Sequence, residues 1–235
     1  MTWLKTLEQR VDDVLSTEWQ ERFGRVVPTT EDVVLKNAAV KLDATFLYAD
    51  LAGSSELAKL CPWDTTAKII RAYLDCCVRT IRVWDGEIRS FDGDRVMGIF
   101  VGDGKETKAT YCAREIDYLV ERVLGPKAKA KFRSVASNNI KLKHCVGIDT
   151  GIARAVRSGI RDNNDLIWIG RPPSFAAKMS DIRDYPRSVY ISEDTYKMLE
   201  VDAKIDGSTY LWEKYNHTFA GKSEVVYATR YMRIP

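Results

Sequence analysis

Histidine is nearly missing from this chain: His144 and His217 are the only two. Zinc sites draw on several His or Cys ligands at short spacing. The five cysteines, at 61, 76, 77, 112 and 145, form no Cys-x-x-Cys pair. Their odd number, with two adjacent ones inside a helical pattern, reads as small buried side chains in a reducing compartment rather than a disulfide framework. Net charge is equally scarce. The 36 Lys and Arg and 33 Asp and Glu are interspersed and leave +3, too little to argue for nucleic acid. No apolar run approaches the roughly 18 residues of a membrane span, and Met1-Thr-Trp-Leu-Lys-Thr-Leu-Glu8 lacks the order of a secretory signal. Repeats and low-complexity segments are absent too. These absences lead us to expect a cytoplasmic protein with no membrane insertion and no nucleic-acid partner.

What is present suits one large domain with a sizeable core: 235 residues, 45% hydrophobic and 29% charged. Leu4, Leu7, Val11, Val14, Leu15, Trp19 and Phe23 recur every three or four residues, which predicts an amphipathic helix over 3–23 ended by Gly24. Residues 24–40, with Pro28 and mixed charge, read as a connector. We therefore expect a helix-plus-connector segment over 1–40 and one domain over 41–235. Within that domain the pattern predicts a strand over 45–50, helices over 56–60, 65–84 and 105–124, and a hairpin over 87–100. Gly125–Asn139, with Lys127, Lys129, Lys131 and Arg133, reads as a solvated loop. A strand over 140–149 bends at Gly151 into a second one, and a hairpin turn at 161–165 leads back to a strand over 166–169. A helix whose prolines fit its first turn follows Gly170. A strand over 188–191, a helix over 193–200 and two terminal strands, 209–215 and 224–231, complete the chain. The fold class is α+β, with a largely antiparallel sheet covered by helices.

Two stretches carry the chemistry. Phe46-Leu-Tyr-Ala-Asp50-Leu-Ala-Gly-Ser-Ser55 is an apolar strand ending in a carboxylate and a small-residue turn. Glu87-Ile-Arg-Ser-Phe-Asp-Gly-Asp94-Arg-Val-Met-Gly-Ile-Phe100 is a strand pair around Asp92-Gly93, a dipeptide suited to a tight hairpin. Asp50 and Asp94 at strand ends, beside free backbone amides at Gly53, Ser54 and Ser55, suit Mg²⁺ or Mn²⁺ and a phosphate. From spacing alone a plainer reading stays open, in which Asp50 caps the next helix and Asp94 is a turn residue.

Four separated motifs over roughly 41–231 together resemble the class III nucleotidyl cyclase catalytic domain. Asp50-Leu-Ala-Gly-Ser-Ser resembles that family's Asp-Ile-x-Gly-Phe-Thr. Phe91-Asp-Gly-Asp-Arg-Val-Met-Gly-Ile-Phe resembles its Lys-x-x-Gly-Asp hairpin. Val146-Gly-Ile-Asp-Thr-Gly resembles Val-Gly-Ile-His-x-Gly, and Ile169-Gly-Arg-Pro-Pro-Ser-Phe-Ala-Ala-Lys resembles Gly-x-x-Val-Asn-x-Ala-x-Arg. Ala220-Gly-Lys222 is a fifth, weaker match, where the family often meets the terminal phosphates. The resemblance implies a mostly antiparallel, ferredoxin-like sheet flanked by helices. It also implies two divalent ions (Mn²⁺ or Mg²⁺) on Asp50, Asp94 and the Leu51 carbonyl. The family's composite sites imply a head-to-tail homodimer binding a nucleoside triphosphate.

The departures from the family bear on substrate. Adenylate cyclases place Lys four residues before the second metal aspartate, and here that position is Ser90. Its usual Asp partner is Ile167, so neither the adenine-reading Lys/Asp pair nor the guanine-reading Glu/Cys pair is present. Tyr48 stands on the strand face of Asp50, where its bulk and hydroxyl could narrow the base pocket, with Ser90, Asp92 and Ile169 as further walls. The ribose-orienting Asn is Ser174 here and the transition-state Arg is Lys178, which keeps the charge without the planar fork. The chain is most similar to the pyrimidine cyclases of Pycsar antiphage systems, which implies cyclic UMP, or next cyclic CMP, made for a separate cyclic-nucleotide-binding effector. An adenylate cyclase with an atypical pocket and a catalytically weak nucleotide-binding module stay open at this point.

Overall fold

The computed structural model describes residues 2–235. In chain order the elements are α1 (Trp3–Leu15), β1 (Gln20–Phe23), β2 (Ala38–Ala52), α2 (Ser54–Leu60), α3 (Trp63–Val83), β3 (Glu87–Asp92), β4 (Arg95–Phe100) and α4 (Lys105–Tyr118). A π-helical segment, Leu119–Leu124, leads into α5 (Gly125–Lys131) and α6 (Arg133–Ser137). Then come β5 (Lys143–Ile160), β6 (Asn163–Ile169), α7 (Arg171–Ser180), β7 (Val189–Ser192), α8 (Glu193–Met198), α9 (Val201–Lys204), the short pair β8 (Ile205–Asp206) and β9 (Thr209–Tyr210), and the hairpin β10 (Glu213–Phe219) with β11 (Lys222–Thr229).

The main sheet runs β10-β11-β7-β5-β2-β4-β3, with β1 added beside β2 and β6 beside β5. All neighbours are antiparallel except β5 with β7 and β1 with β2. This is the α+β, mostly antiparallel architecture expected. Alternation along β2 sends its side chains into two different cores. Leu47, Ala49 and Leu51 pack with Tyr73, Cys77 and Ile81 of α3 and with Ala109, Cys112, Ala113 and Ile116 of α4. Leu42, Ala44 and Phe46 point to the opposite face, which Ala176 of α7 helps to cover. That second face carries the site described below.

Four local expectations are corrected. The first helix stops at Leu15 instead of reaching Phe23, because the Ser16 and Thr17 hydroxyls donate back to the carbonyls of Asp12 and Asp13, each at 2.7 Å, and close it. Gln20–Phe23 is a strand, pairing with 38–41 of β2. No residue of α1 is buried. Second, 125–139 is mostly helical and not a loop. Gly125 takes a helical conformation (φ −56°, ψ −55°) and Pro126 sits in the first turn of α5, where no backbone donor is needed. Ala128 and Val135 pack with Leu57, Cys61, Ile69 and Leu142 while the lysines stay exposed. Third, β5 is one continuous strand through Gly151, whose φ of 139° bends it without ending it. Fourth, the last hairpin is 213–219 with 222–229, joined by Ala220 and Gly221 at φ 49° and 78°.

Candidate active site

Asp50 lies near the end of β2 and is 7% exposed. Three residues on, Gly53 adopts φ 73° and ψ 23° and turns the chain into α2, a conformation that strains any residue with a Cβ. Gly93 and Asp94 form the two-residue turn joining β3 to β4, closed by the Asp92–Arg95 pair, with Gly93 at φ 61°. Asp94 is thus a turn residue and does not open the return strand. Since Asp50 is paired with Arg95 in the sheet, the register brings Asp94 to the same end of it.

The two carboxylates feel one another. Burial pushes the Asp50 carboxyl above its ordinary range; Arg95 pulls it down, the charge of Asp94 pushes it up again, and Arg183 lowers it. Oδ2 of Asp94 is buried and has no hydrogen-bond partner. A buried anionic oxygen without a donor is costly, and a cation is the natural way to satisfy it. Among the described residues, no group of three or more His, Cys, Asp or Glu side chains could hold a metal ion. Asp50 and Asp94 would offer an ion two carboxylates plus backbone oxygens. That fits a Mg²⁺-like ion, which binds through one or two carboxylates and completes its shell with substrate phosphates and water.

Two arginines missed in the sequence complete the site. Arg183, in the loop after α7, donates through Nη2 to Asp50 Oδ2, while Nη1 donates to the carbonyls of Ser180 (2.6 Å) and Ile182 (3.0 Å). Arg95 places Nε 3.5 Å from Asp50 Oδ1 and Nη2 3.5 Å from Asp181 Oδ1. Arg95 was within reach of a sequence reading, since it follows Asp94 directly. Arg183 lies 133 residues from Asp50, with no local signal to pair them.

The base-pocket candidates divide into two groups. Tyr48 and Ser90 flank Met97 in one cross-strand row, and Asp50 and Asp92 flank Arg95 in the row next but one, on the same face. Burial raises the Tyr48 hydroxyl above its ordinary range. Ile167 and Ile169 sit elsewhere. They pair through Val156 and Arg154 of β5, which pair in turn with Ala39 and Lys41 of β2. Lys41 is nine residues from Asp50 along the strand, roughly 30 Å. Ile167 and Ile169 are 47% and 51% exposed, and one chain does not bring them to Asp50.

Ser174 and Lys178 lie one turn apart on the exposed side of α7, and Lys222 is exposed at the start of β11. Ser54 and Ser55 form the first turn of α2. The Leu51 side chain is buried against α3 and α4, which leaves only its backbone for a ligand. Arg171, at the other end of α7, holds the fully buried Asp149 at 2.9 Å, together with Asp194 and Glu224. Burial pushes the Asp149 carboxyl up to about 6, against the pull of the Ser192 hydroxyl and Arg171.

The fold is that of the class III nucleotidyl cyclases. The guanylyl cyclase Cya2 superposes with a TM-score of 0.67 over 83% of this chain and 95% of its own, at 16% identity. No family model matches the chain. Two relatives are closer in sequence. The uridylate cyclase of Rhodovulum sp. (strain MB263) is 40% identical over 224 residues, covering 94% of this chain and 93% of the relative. That of Xanthomonas perforans is 38% identical over 203 residues, 86% of each. The chain belongs to the uridylate cyclase family.

Proposed function

We propose that this protein converts UTP to 3′,5′-cyclic UMP and pyrophosphate. The observation that carries the reading is the row of Tyr48 and Ser90 beside Asp50, where the purine-reading side chains of other cyclases are absent and an aromatic ring takes up space. The bulk of the Tyr48 ring, packed against the Phe46 and Met97 cluster, supports a single-ring base, and the names of the relatives support uracil.

In the reaction the ribose 3′-oxygen forms a bond to the α-phosphorus, the bond to the β-phosphate oxygen breaks, and the hydroxyl proton leaves to solvent. Asp50, Asp94 and the Leu51 carbonyl would hold two divalent ions, Mn²⁺ or Mg²⁺, whose positive charge would acidify the 3′-hydroxyl and offset the charge of the departing pyrophosphate. The amides of Gly53, Ser54 and Ser55 meet the phosphates; Lys222, which the register through Thr229, Val189 and Val146 places toward the Ile167 end of β2 and away from Asp50 in its own chain, adds charge to the phosphates of the partner's site. Phosphoryl transfer depends chiefly on positioning and charge neutralisation, so no dedicated general base is required.

Ser174, Lys178, Ile167 and Ile169 act in the second site of a head-to-tail homodimer, Ser174 orienting the ribose and Lys178 facing the transition-state charge. Their exposure and, for the two isoleucines, their separation from Asp50 in one chain support that arrangement. Residues 41–235 form the catalytic domain, and the 1–40 segment joins it through β1 and the start of β2, with Val33 and Val40 in its core. No helix among the described residues is long and apolar enough to cross a membrane. We place the enzyme in the cytoplasm, where cyclic UMP acts as a second messenger for a separate effector in antiviral defence.

Tyr48→Ala tests the base assignment. Opening the pocket should cut the ratio of UTP to ATP turnover by roughly tenfold, about 1.4 kcal/mol of discrimination. Competition kinetics with both nucleotides measure it, and an unaltered ratio would make Tyr48 a core aromatic.

A further inference from the structure

Both oxygens of Asp50 already face cations. Arg183 covers Oδ2, the tighter of the two contacts, and Arg95 stands 3.5 Å from Oδ1. A divalent ion on Asp50 competes with the Arg183 guanidinium for the same carboxylate charge. Three further observations bear on that competition. Arg183 is tied to its own loop by the Ser180 and Ile182 carbonyls, so its guanidinium is set at the carboxylate and not merely near it. Its side chain is 34% exposed, which leaves room to turn outward. Two carboxylates leave most of the shell of a Mg²⁺-like ion to water and substrate phosphates, so the guanidinium competes best before nucleotide arrives.

Charge balance points the same way. Asp50, Asp94 and Asp181 against Arg95 and Arg183 leave the cluster one unit negative. Two divalent ions entering alone would make it strongly positive, with a guanidinium pressed against them. A triphosphate, carrying about four negative charges, restores the balance and gives Arg183 a new partner with the planar geometry it favours.

We propose that Arg183 is a cation gate on Asp50, holding the carboxylate against free divalent ions and passing to the triphosphate when metal and nucleotide enter together. This rests on the two-metal reading above and deepens it. Arg183 then acts in the same chain as the metal aspartates, distinct from Lys178, which reaches the partner's site. Free metal loads the enzyme less readily than metal-bound nucleotide.

The test is Mn²⁺ binding to the full chain, followed by the electron paramagnetic resonance signal of free Mn²⁺. Without nucleotide, Arg183→Ala and the length-preserving Arg183→Gln should each bind Mn²⁺ roughly fivefold more tightly than the unmodified chain, the worth of an ion pair of about 1 kcal/mol. With the non-cleavable α,β-methylene analogue of UTP the order should reverse, both variants holding the analogue roughly tenfold more weakly. Asp50→Asn in either background should abolish the gain. Unchanged or weaker Mn²⁺ affinity in both variants, or a gain that survives Asp50→Asn, overturns the gate. A wrong base assignment would appear only in the identity of the product, since Mn²⁺ binding without nucleotide involves no base.

Discussion

Asp50→Asn and Asp94→Asn should each lower cyclic nucleotide formation by roughly 10³-fold while leaving the fold intact. Asparagine keeps the shape of the side chain and removes the charge on which a divalent ion depends. A metal contributes several kcal/mol of transition-state charge stabilisation, and about 4 kcal/mol corresponds to that factor. The double variant should be little worse than either single one, because the two aspartates act as a unit. Steady-state rates at saturating Mn²⁺, with circular dichroism confirming the fold, measure this. Activity within tenfold of the unmodified chain for either variant would remove that aspartate from the metal site.

The second large effect lies under α7. A methyl group on Gly147 would stand 2.1 Å from the Ala176 carbonyl oxygen, 2.6 Å from the Ser180 amide nitrogen and 2.8 Å from Met179 Cβ. Two of those atoms are backbone, so relief requires moving the helix that carries Ser174, Lys178 and, just beyond its end, Arg183. Gly147→Ala should cost on the order of 3–5 kcal/mol, lowering the melting temperature by about 10 °C for a chain of this size. Activity should fall along with stability, since α7 also positions Arg183 at Asp50. Gly98→Ala is the comparison. Its methyl would meet only Ile81 side-chain carbons at 3.1 Å, which can give way, and the cost should stay near 1 kcal/mol. Equal melting temperatures for the two variants would contradict the close crossing of α7 over β5.

The sequence carried much of this, because several decisive features are local. A strand that ends in Asp50 and a glycine turn, and a hairpin whose turn contains Asp94, are each written within a dozen residues, and backbone pairing does the rest. The misreadings have equally local causes. Lys127, Lys129, Lys131 and Arg133 between small residues suggested a solvated loop, yet Pro126 at the start of a helix costs no hydrogen bond and Gly125 continues the π-helical segment. The three- and four-residue spacing persisted through Trp19 and Phe23 and concealed strand β1, whose pairing with β2 depends on residues 38–41.

Long-range pairing was out of reach. Nothing near Arg183 in the chain names Asp50 as its partner, and nothing near Ile167 says that β6 would run beside the far end of β5. The same distance makes Ile167 and Ile169 poor walls for their own chain's site.

The decisive property of the enzyme is which nucleotide it cyclises. Purified protein with Mn²⁺ should be given ATP, GTP, CTP and UTP separately and the products identified by mass spectrometry. Cyclic UMP as the dominant product is the predicted result. Cyclic AMP or cyclic GMP in its place would contradict the reading of Tyr48 and Ser90, cyclic CMP would move the assignment to the other pyrimidine, and no product from any of the four would contradict the two-metal cyclase itself.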